Sequence, residues 1–448
     1  VAHAAGEDLM SALFRAIFLG LTRLFYRTIA VTNATRVPAE GPVLVVANHP
    51  NGLVDPLLLR VALKRPVAFL AKSTLFVNPF GKMATGAFNA IPVYRQKDNS
   101  DTSKNEETFQ LCRNLLKSKG WLAMFPEGTS HSDPSLKPMK TGAARIALST
   151  EAQNGWTLGL RILPVGLLFD EKETFRSRAA VSVGEPIHVR DYAERHGKDE
   201  WAAVEALTRD VHDALSKVTL EAESQELWRG FLAVAAWTSP DAARDMAANE
   251  ARARQLAEGY RTLRAIDPAR ADDLVDATRR FVRLLGAVGV QDPLSLEGDT
   301  AQGARVLASL LPIFLLWPLA LLGALLGWLP YRAMRPLAVK IAHGETDIIS
   351  TIKVLLGIVV MPLVYLAEAV AAGVLLGPLV GAAVFVLAPL CGFVALRFDE
   401  RAQLRRDLMR AFWLRATRAR IGDAVRVQRE SLCRLVEDGL RAVKSGAP

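Results

Sequence analysis

His49 directly follows the apolar run Val43–Ala47, and Asp55 stands six positions further on, inside a second apolar segment. Strand, turn and helix are the order such a pattern predicts. A histidine in that turn can take up a proton near neutral pH. A neighbouring carboxylate fixes its tautomer and stabilises the imidazolium that forms. Neither a serine nor a cysteine stands beside the pair, so such a dyad would activate a hydroxyl brought by the substrate. On one regular helix, six positions would turn the two side chains away from each other, since a turn takes about 3.6 residues. The dyad therefore requires His49 in the loop and Asp55 in the first turn of the helix. Pro50, Asn51 and Gly52 are residue types that permit that loop.

Three further blocks follow in order: Gly86 to Arg95, Phe125-Pro126-Glu127-Gly128-Thr129-Ser130, and Ile162-Leu163-Pro164-Val165-Gly166. In that order the four blocks resemble the glycerolipid acyltransferase family, which includes the glycerol-3-phosphate and lysophosphatidate acyltransferases. The resemblance is strong over residues 40–190. Five residues separate His49 from Asp55 where the usual family motif has four, and Ser130 stands where many lysophosphatidate acyltransferases carry arginine. Both departures, with Ser130-His131 and the segment Lys172 to Ala179, look like the fungal-type glycerol-3-phosphate/dihydroxyacetone-phosphate acyltransferases and their bacterial relatives. A fainter likeness to that subgroup reaches Asp347 to Lys353.

The resemblance implies transfer of a fatty acyl group from acyl-CoA or an acyl-carrier-protein thioester to the hydroxyl of glycerol 3-phosphate or lysophosphatidate, with no cofactor. His49 would be the general base and Asp55 its orienting partner. Arg95 is the candidate for the acceptor's phosphate, because a guanidinium matches phosphate oxygens in a two-pronged fashion. The resemblance assigns Glu127 and Gly128 to acceptor binding, Glu127 toward the glycerol hydroxyls. Lys140 opens a helical pattern whose N-terminus favours an anion, which makes it a second phosphate candidate; Arg176 and Arg178 are weaker ones. Two other readings stay open: a non-enzymatic lipid-binding protein that retains the fold, and an acyltransferase for another hydroxyl or an amine.

Composition narrows the partners. The 55 Lys and Arg residues exceed the 46 Asp and Glu residues, giving a net charge of +9, which suits an anionic partner. Neither zinc-ligand cysteine pairs nor an aromatic RNA-binding signature occurs, so lipid and phosphorylated substrates are expected rather than nucleic acid. Cys112, Cys391 and Cys433 are far apart, which argues against a disulfide framework and fits a reducing compartment. The seven histidines are scattered without metal-ligand spacing.

The elements that must position these residues are α/β in texture. Short apolar runs at Val43–Ala47, Val67 to Leu70, Trp121 to Phe125, Leu160 to Leu168 and Ala180 to Val183 alternate with helical patterns at Pro56 to Leu63, Asn105 to Ser118 and Thr141 to Thr150. Strands separated by helices predict an acyltransferase domain with a mainly parallel sheet, over 36–220. Ahead of it, 1–35 reads as an amphipathic interfacial helix rather than a cleavable signal. Its apolar stripe runs through Leu9, Leu13 and Ile17, and Phe14, Phe18, Phe25 and Tyr26 suit a membrane interface.

An all-helical connector is expected over 221–304, starting a helix near Ser239-Pro240-Asp241. Membrane segments follow over 305–397, then a basic helical tail over 398–448. The block Val306 to Leu329 is long enough for one span, and Val354 to Leu396 for a hairpin of two. Basic residues between the blocks (Arg332, Arg335, Lys340) and beyond them (Arg397, Arg401, Arg405) claim the cytoplasmic side. A hairpin in the second block reconciles them, leaving the first block re-entrant or a single span. The expected location is a phospholipid membrane, with the catalytic domain on the cytoplasmic face.

Overall fold

The structure, a computed structural model, describes residues 9–77, 79–94, 102–290, 292–297, 301–417 and 419–445. It divides into two compact units. The first runs to Trp228 and adds the distant segment Thr346–Thr351; the second takes in Arg229–Glu345 and the chain from Ile352 onward.

In the first unit the chain forms α1 (Leu9–Phe25), β1 (Tyr26–Thr32), β2 (Val43–Ala47), α2 (Val54–Leu63), β3 (Ala68–Lys72), α3 (Pro79–Ala87) and β4 (Ile91–Val93). There follow α4 (Asn105–Lys117), β5 (Trp121–Met124), α5 (Gly142–Gln153), β6 (Arg161–Phe169), β7 (Ser177–Val183), β8 (Ile187–His188), α6 (Ala193–Lys198) and α7 (Glu200–Ser216). The strands make one sheet in the order β1-β7-β6-β2-β5-β3-β4, with β8 also on β6.

β2, at the centre, pairs in parallel with both β5 and β6, and β3 continues the parallel run between β5 and β4. All five residues of β2 are buried, as an uninterrupted apolar strand covered on both faces should be. Leu44, Val46, Leu122, Ile146, Leu207 and Val211 fill the core between this sheet and helices α5 and α7.

Two features depart from the alternating pattern. β7 runs antiparallel to β6, because the short link between Phe169 and Ser177 suffices for a hairpin but not for a crossover. Also, α1 ends at Phe25, and Tyr26–Thr32 becomes an edge strand parallel to β7. Thr28, Ile29, Val31 and Thr32 are β-branched residues that fit a pleated surface better than a helix.

The aromatic residues of this stretch face inward. Phe14, Phe18, Phe25 and Tyr26 are buried, whereas Leu9, Met10, Leu13 and Ile17 are exposed. The spacing explains it: Phe14, Phe18 and Phe25 lie on the stripe that packs against α2 and α3, and the aliphatic residues occupy another.

The second unit begins within α8 (Gln225–Thr238) and is helical: α9 (Pro240–Arg244), α10 (Met246–Ile266), α11 (Pro268–Val288), α12 (Ala301–Ile341), α13 (Ile349–Leu376), α14 (Pro378–Thr417) and α15 (Ala419–Ser445). Helix starts here are capped locally. Ser239, Asp245 and Asp267 each accept backbone N–H groups of the first turn that follows, and a proline stands in the first turn after Ser239 and Asp267. α10, α11 and α15 pack together, and α12 packs along α14.

Close approach in this unit depends on small residues. A Cβ added at Gly323 of α12 would fall 2.0 Å from the Cys391 carbonyl oxygen of α14, and one at Gly381 would fall 2.7 Å from that of Ala369. Gly377, at φ +105°, makes the tight reversal between α13 and α14. The second apolar block is thus a helical hairpin, and Ile349–Leu376 and Pro378–Gln403 are each long and apolar enough to cross a membrane. The first block lies within the single helix α12.

Candidate active site

The parallel register assembles the site. β2, β5 and β6 run side by side in one direction, so the loops leaving their carboxyl ends emerge along the same edge of the sheet. Those loops begin at Asn48, Phe125 and Asp170, which brings together motifs more than seventy residues apart.

His49 lies in the loop after β2, and Asp55 in the first turn of α2. The His49 Nδ1 atom is 2.8 Å from Asp55 Oδ2. Asp55 is fully buried, while the His49 side chain keeps 18% of its surface exposed. The extra residue between them is absorbed by a turn. Gly52 adopts φ +48°, Val54 N–H bonds the Asn51 carbonyl, and the Asn51 N–H returns to Asp55 Oδ2 at 2.7 Å. Asp55 Oδ1 is buried with no hydrogen-bond partner among the described residues.

Burial raises the Asp55 pKa from its ordinary value; the hydrogen bond and charge of His49, the Asn51 N–H and the Lys172 charge pull it back. Tyr26 donates its ring and hydroxyl to the same buried wall. Its hydroxyl accepts from Asn51 Nδ2 at 2.8 Å, and burial holds its pKa well above the usual phenol value.

The block after β5 is arranged around His49. The imidazole stacks on the Phe125 ring, centroids 3.9 Å apart and nearly parallel. Glu127, 4% exposed, accepts the His49 backbone N–H on Oε1 and the Lys137 N–H on Oε2, each at 2.9 Å; His131 Nε2 also bonds Oε2. Glu127 thus has internal partners on both oxygens and braces the His49 main chain. Asn48 fastens the other side of the loop, exchanging two hydrogen bonds with the Leu167 backbone.

Gly128, at φ +74°, turns the chain beneath the Lys140 side chain: a Cβ there would meet Lys140 Nζ at 2.7 Å. Lys140 N–H bonds the Pro126 carbonyl, so Lys140 and this turn are held together. Arg95 lies outside the described residues. Arg176 and Arg178 are engaged elsewhere, Arg176 on the Leu24 carbonyl and Arg178 in an ion pair with Asp170.

A histidine-carboxylate pair thus stands at the edge of a mostly parallel sheet. Residues 28–168 match the family model described as Acyltransferase. An uncharacterized acyltransferase of Schizosaccharomyces pombe is 26% identical over 46% of this chain and 43% of that protein. The glycerol-3-phosphate O-acyltransferase 1 of Saccharomyces cerevisiae is 24% identical, over 50% and 41%. A 1-acyl-sn-glycerol-3-phosphate acyltransferase of Bacillus subtilis is 28% identical, over 42% of this chain and 89% of that protein. The chain spans less than half the length of the two fungal relatives.

Proposed function

We propose that this protein is a membrane-bound O-acyltransferase that moves a fatty acyl group from a thioester, acyl-CoA or acyl-carrier-protein, to the hydroxyl of glycerol 3-phosphate or lysophosphatidate. The observation that carries the reading is the 2.8 Å bond from His49 Nδ1 to a buried Asp55. With Nδ1 occupied by the carboxylate, Nε2 is the nitrogen left to accept a proton.

In the reaction His49 takes the proton of the acceptor hydroxyl as its oxygen attacks the thioester carbonyl. The C–S bond of the resulting tetrahedral intermediate breaks, and the imidazolium returns the proton to the leaving sulfur. Asp55 holds the tautomer and stabilises the imidazolium. Arg95 and Lys140 are the groups proposed to hold the acceptor's phosphate; Lys140 sits beside the Glu127-Gly128 turn, close to the brace on His49. The names of the yeast and bacterial relatives support these acceptors. The apolar helices Ile349–Leu376 and Pro378–Gln403 support attachment to a phospholipid membrane, with the catalytic domain on the cytoplasmic side given by the flanking arginines.

The test is thiol release from palmitoyl-CoA by the full-length protein, with glycerol 3-phosphate or lysophosphatidate supplied, beside His49→Ala. Release that needs one acceptor and His49 is the expected result. If release is absent with both acceptors and also with acyl-carrier-protein thioesters, the reading fails. Arg95→Ala should chiefly raise the KM for the acceptor; equal weakening of donor and acceptor would remove Arg95 from the phosphate role.

A further inference from the structure

The likeness noted at Asp347 to Lys353 has no place in the chemistry above, yet Thr346–Thr351 folds with the catalytic unit. This strap joins α12 to α13, and its last three residues open α13. Ser350 is completely buried.

Its polar groups close on the loop that carries His49. Thr351 Oγ1 accepts the Leu53 N–H at 3.2 Å. The strap passes so close over Gly52 that an added Cβ would meet the Asp347 carbonyl oxygen at 3.1 Å and Thr351 Oγ1 at 3.2 Å. The Ser350 hydroxyl donates to the Lys172 carbonyl.

Lys172, in the loop after β6, is the meeting point. Its ammonium donates to the Pro50 carbonyl at 2.8 Å and to Ser132 Oγ at 2.6 Å, and Ser132 Oγ in turn lies 2.5 Å from Thr346 Oγ1. The strap thus grips Lys172 by its backbone through Ser350 and by its ammonium through Thr346 and Ser132.

We propose that Lys172, seated by the strap Thr346–Thr351, is a positioning residue of the dyad: its ammonium fixes the Pro50 carbonyl next to His49 and supplies the positive charge that keeps the buried Asp55 ionised. The charges around it are consistent with that role. Asp55, Asp347, Glu173 and Asp133 all act on Lys172, and His49, Lys172 and the neutral Tyr26 surround Asp55. Burial works against the lysine's charge, lowering its pKa from the ordinary value, and the four carboxylates offset that.

The inference rests on the acyl-transfer reading, so the full-length wild-type and His49→Ala proteins come first, assayed with palmitoyl-CoA and the two acceptors. A wild type without His49-dependent thiol release overturns that reading and the inference with it. With release established, the pH dependence of kcat/KM is compared for wild type, Lys172→Met and Lys172→Arg. Removing a positive charge lets the dyad take up its proton more readily, so Lys172→Met should move the acid limb to higher pH by about one unit. Lys172→Arg should restore it.

Ser350→Ala leaves the charge in place and loosens its seat. It should lower kcat roughly three- to tenfold, the worth of one hydrogen bond, without moving the limb. The KM for palmitoyl-CoA should stay within about twofold throughout. Coincident acid limbs for wild type and Lys172→Met, or an arginine variant no better than methionine, overturn the role of the lysine. An unchanged kcat in Ser350→Ala overturns that of the strap.

Discussion

The backbone N–H of His49 donates to Glu127 Oε1 at 2.9 Å, across 78 positions of sequence. The His131 N–H returns to the His49 carbonyl at 3.1 Å, and His131 Nε2 bonds the second oxygen of Glu127. The proposed base is thus held by its main chain as well as by its imidazole. This fixes the direction of the ring without restricting Nε2.

Glu127→Gln tests that brace. An amide must turn an NH2 group toward either the His49 N–H or the N–H groups of Lys137 and His131. One donor is then left facing another, at a cost of about 1–3 kcal/mol. The expected outcome is a lower melting temperature together with a fall in kcat, with the KM for the acceptor little changed. A selective rise in acceptor KM would instead return Glu127 to the glycerol hydroxyls.

Asp55→Asn separates chemistry from stability. The folded pKa of Asp55 is raised above its unfolded value, so this carboxyl's stabilising contribution is present below the unfolded pKa and lost as pH rises through the folded one. At neutral pH the ionised, buried group therefore works against the fold. The isosteric amide should keep or raise the melting temperature near pH 7 while lowering kcat by about two to four orders of magnitude. A thermal melt and an acyl-transfer rate on the same preparation decide it; a large loss of stability would contradict the sign.

Gly52→Ala should disturb the loop from two directions. Its φ of +48° is costly for any residue with a Cβ, and that Cβ would press on the Asp347 carbonyl and Thr351 Oγ1. A loss of about 1–2 kcal/mol of stability with reduced kcat is expected. Gly86→Ala is the control: it lies in α3 with nothing within 4 Å among the described residues and should be neutral or slightly stabilising. Equal behaviour of the two variants in a melt would show that the loop tolerates rearrangement.

In the helical unit, Gly323→Leu should force α12 away from α14, because even a Cβ there overlaps the Cys391 carbonyl. Overpacking of this kind costs about 1–3 kcal/mol or more. Gly327→Leu, one turn further along α12 and with nothing within 4 Å among the described residues, should leave the detergent-solubilised protein's melting temperature unchanged. A comparable drop for both would mean that this helix contact does not limit stability.

Much of the site was legible before the fold was known, for local reasons. A buried parallel strand ending in a polar turn has a short-range signature. With Pro50, Asn51 and Gly52 forming the turn, His49 and Asp55 could meet only across a loop, as they do. The helix start at Ser239, whose own hydroxyl caps it, carries an equally local signal. The hairpin at Gly377 follows from an apolar run too long for one helix and too short for three. The edge strand Tyr26–Thr32 was missed because helical spacing in the preceding residues carried the pattern past Phe25. Its partner, β7, lies about 150 positions away.

The residues themselves determined the pairing of His49 with Asp55, the sheet-and-helix texture and the apolar hairpin, because each depends on side-chain periodicity or on neighbours within a few positions. Tertiary structure alone decided that Glu127 braces His49, that Arg178 is taken by Asp170, and that Lys172 and the strap Thr346–Thr351 close over the loop that carries His49. Those relationships arise from parallel pairing, which sets three strand ends side by side, and from a segment about 300 residues downstream returning to Leu53. Hydrogen bonds across such distances leave no periodic trace along the chain, since their geometry exists only once the core has fixed the register.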